Sequence, residues 1–362
     1  MPEPLWATPV RIRGHEIRNR IVFPPIGTSL AEPDGAASPE VLRWYEEIGA
    51  GGCGMVVVEG TAVAPEGKGC KRNLSIYDRR QLEGLRKIAR SLLGHGAFAS
   101  IQLLHAGGQA NPEFTGREAL SPSDLPPERT GTGHSSRALR PEEIAVVREC
   151  YLGAARAARD AGFPAVELHL AHGYLLHQFL SAHTNRRTDG YGGALENRAR
   201  LVLEIIQGIR KECPELVLGA RVSGEDYLPD GIRPEVNAKL LPMLESAGLE
   251  YFSVTAGIYE TSKAKHAAMS QGEFFAYSRG IKRMVGKPVI GVGKILDLDS
   301  AEKHLQAGDC DMVAIGRGLI ADPQMVVKTK AGRAYNRCTE CGECRYLALG
   351  RESLTCPFRD FH

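Results

Sequence analysis

The chain lacks any apolar run approaching the ~18 residues that a membrane-spanning helix needs. Its opening, Met1-Pro2-Glu3-Pro4-Leu5-Trp6, has no basic flank and no apolar stretch of the kind a signal peptide carries. It also lacks an excess of charge: 45 Lys and Arg stand against 43 Asp and Glu, a net charge of +2. Without a basic block there is no electrostatic footprint for nucleic acid. These absences point to a soluble, cytoplasmic protein with neither a nucleic-acid nor a membrane partner. What is present is ordinary globular material, 43% apolar and 24% charged over 362 residues, long enough for a large core. Length alone suggests two or three domains, but barrels of this size form single units.

Cysteine is the exception to ordinariness. Nine is an odd number, awkward for a fully paired disulfide scaffold. Cys53, Cys70, Cys150, Cys213 and Cys310 are scattered and read as packed free thiols of a reducing compartment. The other four form a cluster near the end, Cys338-x2-Cys341-x2-Cys344-x11-Cys356-Pro357. Such spacing suits an iron–sulfur cluster, tetrahedral zinc or redox-sensing thiols. The three close cysteines followed by a Cys-Pro pair, as in ferredoxin-type runs, favour iron–sulfur over zinc.

Short β-branched or apolar runs recur along the rest of the chain, each followed by a helical pattern. They begin at Ile21-Val22-Phe23, Met55 to Val58, Phe98 to Leu103 and Val166 to His169. They continue at Leu216 to Val222, Tyr251 to Thr255, Val289 to Val292 and Met312 to Ile315. Helical periodicity marks Pro39 to Gly49, Asp78 to Leu93, Pro141 to Ala161, Leu195 to Lys211 and Pro234 to Ala247. Ser38 and Asp297 make helix starts, Gly162 and Gly248 stops. Eight strands alternating with helices predict an α/β chain folded as a closed (β/α)8 TIM barrel over residues 1–335, with a cysteine-rich extension over 336–362. Residues 105–140 and 182–194 interrupt the rhythm. Both follow strands on the face where barrel enzymes place their sites, the first as a lid or subsidiary hairpin.

Candidate chemistry gathers at the strand ends. Gly291-Val292-Gly293 and Gly316-Arg317-Gly318 end the last two strands, where glycines let backbone amides approach a phosphate. The plain alternative is tight strand–helix packing. His169 and His172, three apart where a strand meets a loop, can converge on one carbonyl or phenolate oxygen; alternatively one is a satisfied structural histidine. Tyr174 is a proton-donor candidate, or an ordinary rim aromatic. Arg221 would direct a cation into the mouth, which calls for an electron-rich partner. Gln102 offers both a donor and an acceptor, matching the uracil-like edge of a flavin, or it caps the barrel.

At these residues the chain resembles the Old Yellow Enzyme family of FMN-dependent ene-reductases. The match runs from about residue 4 to 335. It is carried by Asn19-Arg20-Ile21-Val22-Phe23-Pro24-Pro25, Val58-Glu59-Gly60-Thr61, Ile101-Gln102-Leu103-Leu104-His105-Ala106-Gly107 and His169-x2-His172-Gly173-Tyr174. Asn185-Arg186-Arg187-Thr188-Asp189-x-Tyr191-Gly192-Gly193, Asn197-Arg198 and Ile315-Gly316-Arg317 complete it. The cysteine tail is similar to that of the 2,4-dienoyl-CoA reductase and trimethylamine dehydrogenase branch, which holds a 4Fe–4S cluster.

The resemblance implies roles position by position. Pro25, Ile26 and Gly60 line the isoalloxazine of FMN, with Gly27 and Thr28 continuing that segment; Gly27 stands where many relatives carry a potential-tuning Thr or Cys. Gln102 binds the pyrimidine edge, and Arg221 stabilises the reduced ring. Gly293, Gly316 and Arg317 hold the phosphate. His169 and His172 anchor the substrate oxygen, Tyr174 delivers the proton, and Tyr259 contacts substrate. Cys338, Cys341, Cys344 and Cys356 would ligate the cluster, although two residues separate the second and third cysteines where the branch has three. The implied activity is reduction of an activated alkene by NAD(P)H or a protein donor, in a homo-oligomer. Because the chain ends at His362, the FAD- and NAD-binding portion of the long relatives is expected to be missing. An electron-transfer subunit working with a partner flavoprotein is then the competing expectation.

Overall fold

The apolar runs become eight parallel strands in the computed structural model, which describes residues 3–261, 269–345 and 349–359. Met1, Pro2 and His362, named above, lie outside the described residues. The strands are β1 (Ile21–Phe23), β2 (Met55–Ala62), β3 (Phe98–Leu104), β4 (Ala165–Leu170), β5 (Val217–Ser223), β6 (Tyr251–Thr255), β7 (Val289–Gly291) and β8 (Met312–Ala314). They pair in chain order and β8 closes on β1, so the expected (β/α)8 barrel is the fold. The helices that follow them in turn are α1 (Pro39–Ala50), α2 (Leu82–Gly94), α3 (Pro141–Asp160), α4 (Leu195–Glu212), α5 (Pro234–Ala247), α6 (Phe275–Lys282), α7 (Leu298–Gln306) and α8 (Arg317–Ala321).

The local signals act as expected. The Ser38 hydroxyl accepts from Val41 N at 3.1 Å and Asp297 accepts from Ser300 N at 2.8 Å, each satisfying an orphan amide of a helix start. The helix read from Asp78 begins instead with a 3-10 turn, Arg79–Gln81, before α2. Asp78 and Gln81 form a reciprocal capping box there, which tightens the first turn. Outward strand residues such as Val56, Val58, Ile101, Val166 and Leu168 are fully buried under the helices. Each such side chain contributes roughly 1.5–3 kcal/mol on leaving water.

The inward faces change character along the barrel axis. At the N-terminal end Val22, Met55, Phe98, Ala165, Val217, Ile290 and Met312 form one apolar cluster. An antiparallel hairpin, Val10–Ile12 with His15–Ile17, covers this end and buries Ile12 and Ile17 against the cluster. The sequence reading had no element there. Higher up, Tyr251 crosses the interior, and a Cβ on Gly219 would stand 2.0 Å from its ring, so only glycine leaves that space. At the C-terminal end the inward residues are polar: Gln102, Glu167, His169 and Arg221, all buried.

Within the insertion of residues 105–140, Leu125 and Ser136 form the antiparallel bridge of a hairpin, but the pairing beyond it differs. Leu120–Ser121 and Arg137–Ala138 pair in parallel, because Arg137 N donates to Ala119 O and Leu139 N to Ser121 O. The 182–194 segment fastens to it: Arg187 Nη1 donates to Pro122 O and Leu139 O, while Asn185 Nδ2 donates to Phe179 O and Tyr191 O. The Asn-Arg-Arg-Thr-Asp motif therefore braces two loops. Past Arg333 the described chain runs without α-helix or named strand back to the first βα loop. There Leu354 N donates to Thr28 O at 2.9 Å, Leu354 is buried, and Arg359 lies 4.5 Å over the Trp44 ring and pairs with Glu47.

Candidate active site

Strand register brings the polar residues together. Gln102 on β3 is the partner of Glu167 on β4, and His169 on β4 is the partner of Arg221 on β5. Gln102 Nε2 donates to Glu167 Oε1 at 2.8 Å. Burial pushes the Glu167 carboxyl up to about 7 although Arg221 pulls it down. Arg221 is buried, and its Nε and Nη1 have no partner. A buried guanidinium with idle donors is costly, so it marks the place where an electron-rich group belongs.

His169 is held well below the usual imidazole pKa by burial and then by Arg221, so it is neutral. Its Nδ1 accepts from Ala171 N at 3.3 Å, which assigns its proton to Nε2. After β4 the chain takes two left-handed residues, His172 (φ 61°) and Gly173 (φ 81°). A Cβ at Gly173 would stand 2.4 Å from Gln109 Nε2, whose bond to His172 O fixes this turn. The turn folds His172 back, so that its Nδ1 lies 3.3 Å from His169 Nε2 and its Nε2 lies 3.0 Å from Thr255 Oγ1. The two imidazoles thus meet, one ring nitrogen against the other. Thr255, at the end of β6, was missed; its signal was that same strand-end position. The Tyr174 ring sits 4.7 Å from that of His169, and its hydroxyl lies 3.0 Å from the Tyr259 hydroxyl.

An open cavity of about 1580 Å³, its mouth included, runs across the strand ends. His172, Arg221, Thr255 and Tyr259 line it together with Pro25 and Ile26, and Gly293, Gly316 and Arg317 line it as well. Lys294, not anticipated, joins this lining, and both Lys294 Nζ and Arg317 Nη1 lie 3.3 Å from Glu340 Oε1 of the tail. Gly60 lies beside Gln102, its built Cβ 3.4 Å from Gln102 Oε1, and Gly27 is exposed. Thr28 is placed differently from the expectation. It is fully buried, and its amide and hydroxyl both donate to Glu59, at 3.0 and 2.7 Å. It buttresses the Pro25–Gly27 segment rather than facing the cavity. His105 is likewise a packing residue: its Nδ1 accepts from Gly107 N at 3.0 Å, and burial lowers its pKa to about 4.

None of the nine cysteines is in a disulfide. Cys338, Cys341, Cys344 and Cys356 line one small cavity of about 310 Å³, together with Arg317 and Ile320. Cys344, Arg317 and Ile320 also line the large cavity, so the two adjoin. Among the described residues no three His, Cys, Asp or Glu side chains are gathered as ligands of a single metal ion. The spacing expectation of a metal site is therefore carried only by the shared cavity. No described helix is long and apolar enough to cross a membrane.

A barrel whose mouth joins paired histidines, a buried arginine and glycine-lined strand ends is the architecture of a flavin oxidoreductase. The family model of the NADH:flavin oxidoreductase / NADH oxidase family matches residues 6–336, and the chain belongs to that family. It is 38% identical over 345 residues to an NADH oxidase of Thermoanaerobacter brockii, covering 94% of this chain and 52% of that protein. It is 33% identical to an NADPH dehydrogenase of Geobacillus sp., covering 89% and 92%. A solved 2-naphthoyl-CoA reductase, in complex with 2-naphthoyl-CoA, superposes with a TM-score of 0.93 at 28% identity, covering 98% of this chain and 57% of that one. The chain thus spans little more than half of two of these relatives.

FMN, the cofactor of the family, fits the residues present. Arg221 has two idle donors at the cavity wall, and Lys294 and Arg317 supply cations at its far end. Built Cβ atoms at Gly60 and Gly316 would stand 3.0 Å from Leu104 and 3.3 Å from Ile26, tight contacts at positions beside the lining.

Proposed function

We propose that this chain is an FMN-dependent ene-reductase acting on an alkene activated by a neighbouring carbonyl. The observation that carries the reading is the meeting of His169 Nε2 and His172 Nδ1 beside Tyr174 at the wall of a cavity lined by Arg221, whose Nε and Nη1 have no partner. When bound, FMN supplies hydride to carbon. The protein's part is to hold charge and move a proton.

Thr255 sets the tautomer of His172. With its proton on Nε2, His169 donates to His172 Nδ1 across 3.3 Å, and His172 Nε2–H donates in turn to the Thr255 hydroxyl at 3.0 Å. A substrate carbonyl oxygen entering beside the pair would take the His169 Nε2–H in place of His172 Nδ1, and with the Thr255 hydroxyl turned to donate to Nε2, His172 would carry its proton on Nδ1 toward the same oxygen. Both imidazoles then stabilise negative charge developing on that oxygen, a preorganised oxyanion site. Tyr174, in contact with His169, gives its hydroxyl proton to the α-carbon. Arg221 would hold the electron-rich edge of the reduced ring, beside the hydrogen-bonded Glu167 and Gln102. Pro25, Ile26, Gly27 and Gly60 would line the ring, and Gly293, Gly316 and Arg317 would hold the phosphate.

Free enones and enoyl or dienoyl thioesters are both candidates. The histidine pair suits any carbonyl, and the complex of the naphthoyl-CoA reductase favours the thioester. The electron donor is NADH or NADPH, or a partner flavoprotein. The protein acts in the cytoplasm as a homo-oligomer, with residues 336–362 as a distinct tail. The shared wall of the two cavities favours a second role: Cys338, Cys341, Cys344 and Cys356 would hold a 4Fe–4S cluster, whose chemistry is one-electron transfer. A tetrahedral zinc, which draws its four sulfurs close around one ion, is the poorer fit.

The test is anaerobic stopped-flow on the flavin-loaded protein, reduced with NADPH or NADH and then mixed with cyclohexenone. Tyr174→Phe is expected to slow alkene reduction by about 100-fold while cofactor reduction stays fast. Equal losses in both half-reactions would remove Tyr174 from its role.

A further inference from the structure

Tyr259 is better placed than a substrate contact requires. It is 38% exposed, while its hydroxyl lies 3.0 Å from that of half-buried Tyr174, with the rings edge to face. The short segment that carries it is held by contacts to several described residues. Gly257 N donates to Glu225 O at 2.7 Å, and Ile258 bridges to His172. Thr261 Oγ1 donates to Asp226 O at 2.9 Å, and Glu260 Oε2 lies 3.0 Å from His183 Nε2. His183 is itself held by Asp230, 2.9 Å from its Nδ1. Loops after β4, β5 and β6 thus combine to keep one phenol against another.

We propose that Tyr259 is a proton relay that reloads Tyr174 from solvent after each turnover. The inference rests on the reading of Tyr174 as the proton donor. As the α-carbon gains its C–H bond, the Tyr174 O–H bond breaks and leaves a phenolate. That oxygen takes the Tyr259 proton along the 3.0 Å bond, and water at the exposed edge returns a proton to Tyr259. The sum is one proton moved from water to carbon, with no electron carried by either ring. Desolvation raises the Tyr259 pKa, so the proton is in place at neutral pH.

Steady-state reduction of cyclohexenone by the flavin-loaded protein, in water and in deuterium oxide, tests the relay with three variants. Tyr259→Phe fills the space and blocks the path. It is expected to lower kcat about tenfold with KM unchanged, flavin content and reduction by NADPH unchanged, and a larger solvent isotope effect. Tyr259→Ser opens a channel for water and is expected to keep more activity than the Phe variant, the reverse of a packing defect. A loss confined to KM, a Ser variant worse than the Phe variant, or a parental kcat and isotope effect for both would overturn the relay. Should the Phe variant lose its flavin, the isotope effect of the Ser variant decides alone. Tyr174→Phe separates the two ideas: full activity there sinks the donor assignment itself.

Discussion

The barrel mouth and the cysteine tail both bring four side chains to one place, but by different means. At the mouth, Gln102, Glu167, His169 and Arg221 are neighbours because β3, β4 and β5 are locked in register. In the tail, the four thiols face a common cavity on irregular chain, held by a few bonds such as Asn336 N to Asp322 Oδ2 and Thr355 Oγ1 to Glu343 O. The first arrangement is built by backbone ladders before any ligand arrives. The second leaves more of its order to whatever the thiols bind.

The strongest test of that contrast is Arg221→Leu. It removes the buried cation beside Glu167, and we expect cofactor reduction and alkene reduction to fall by at least about 100-fold, with weaker FMN binding. The barrel should still fold, and its helical signal and flavin content can be measured side by side. Next comes Cys341→Ala. Iron and acid-labile sulfide, which the proposed cluster would put at about four of each per chain in the parent, should be lost, while flavin content and barrel melting stay the same. A matching collapse of the flavin site would erase the distinction between the two regions, and one zinc per chain would replace the cluster assignment.

The smallest effect concerns Glu59, which anchors the first loop through Thr28. Burial raises its pKa from 4.5 to about 7. Between those values the folded protein holds a proton that the unfolded chain has released. This part of the stability is therefore complete below about pH 4.5, declines as pH rises toward 7, and is flat above; Glu167 adds a decline of the same sign. Glu59→Gln should flatten the decline by up to roughly 3 kcal/mol, read from urea unfolding at several pH values. An unchanged slope would show that Glu59 is ionised in the fold.

Much of the barrel was legible because its physics is local. β-branched runs, a serine or aspartate before a helix and a glycine after it each report on neighbouring residues. The mouth was legible because strand ends in a barrel share one face, so His169, Arg221 and Gln102 needed only their positions. What escaped reading depends on contacts distant in sequence. Thr255 orients His172 across two loops, and Lys294 meets Arg317 through a glutamate of the tail. Thr28 looked like a cavity residue from its place beside Pro25 and Ile26, but the buried Glu59 carboxylate, 31 residues away, claims both its polar groups. The parallel pairing within residues 105–140 has only two residues per strand, too few to leave a periodic trace.

The hairpin over the N-terminal end has a kinetic consequence. With Ile12 and Ile17 seated against the apolar floor, the N-terminal end of the described barrel is walled off, and the large cavity opens at the other end. A nicotinamide and an alkene would have to use that opening in turn, each departing before the other is admitted. Double-reciprocal plots would then be parallel, and crowding by either reactant would show itself as inhibition by the other's visitor.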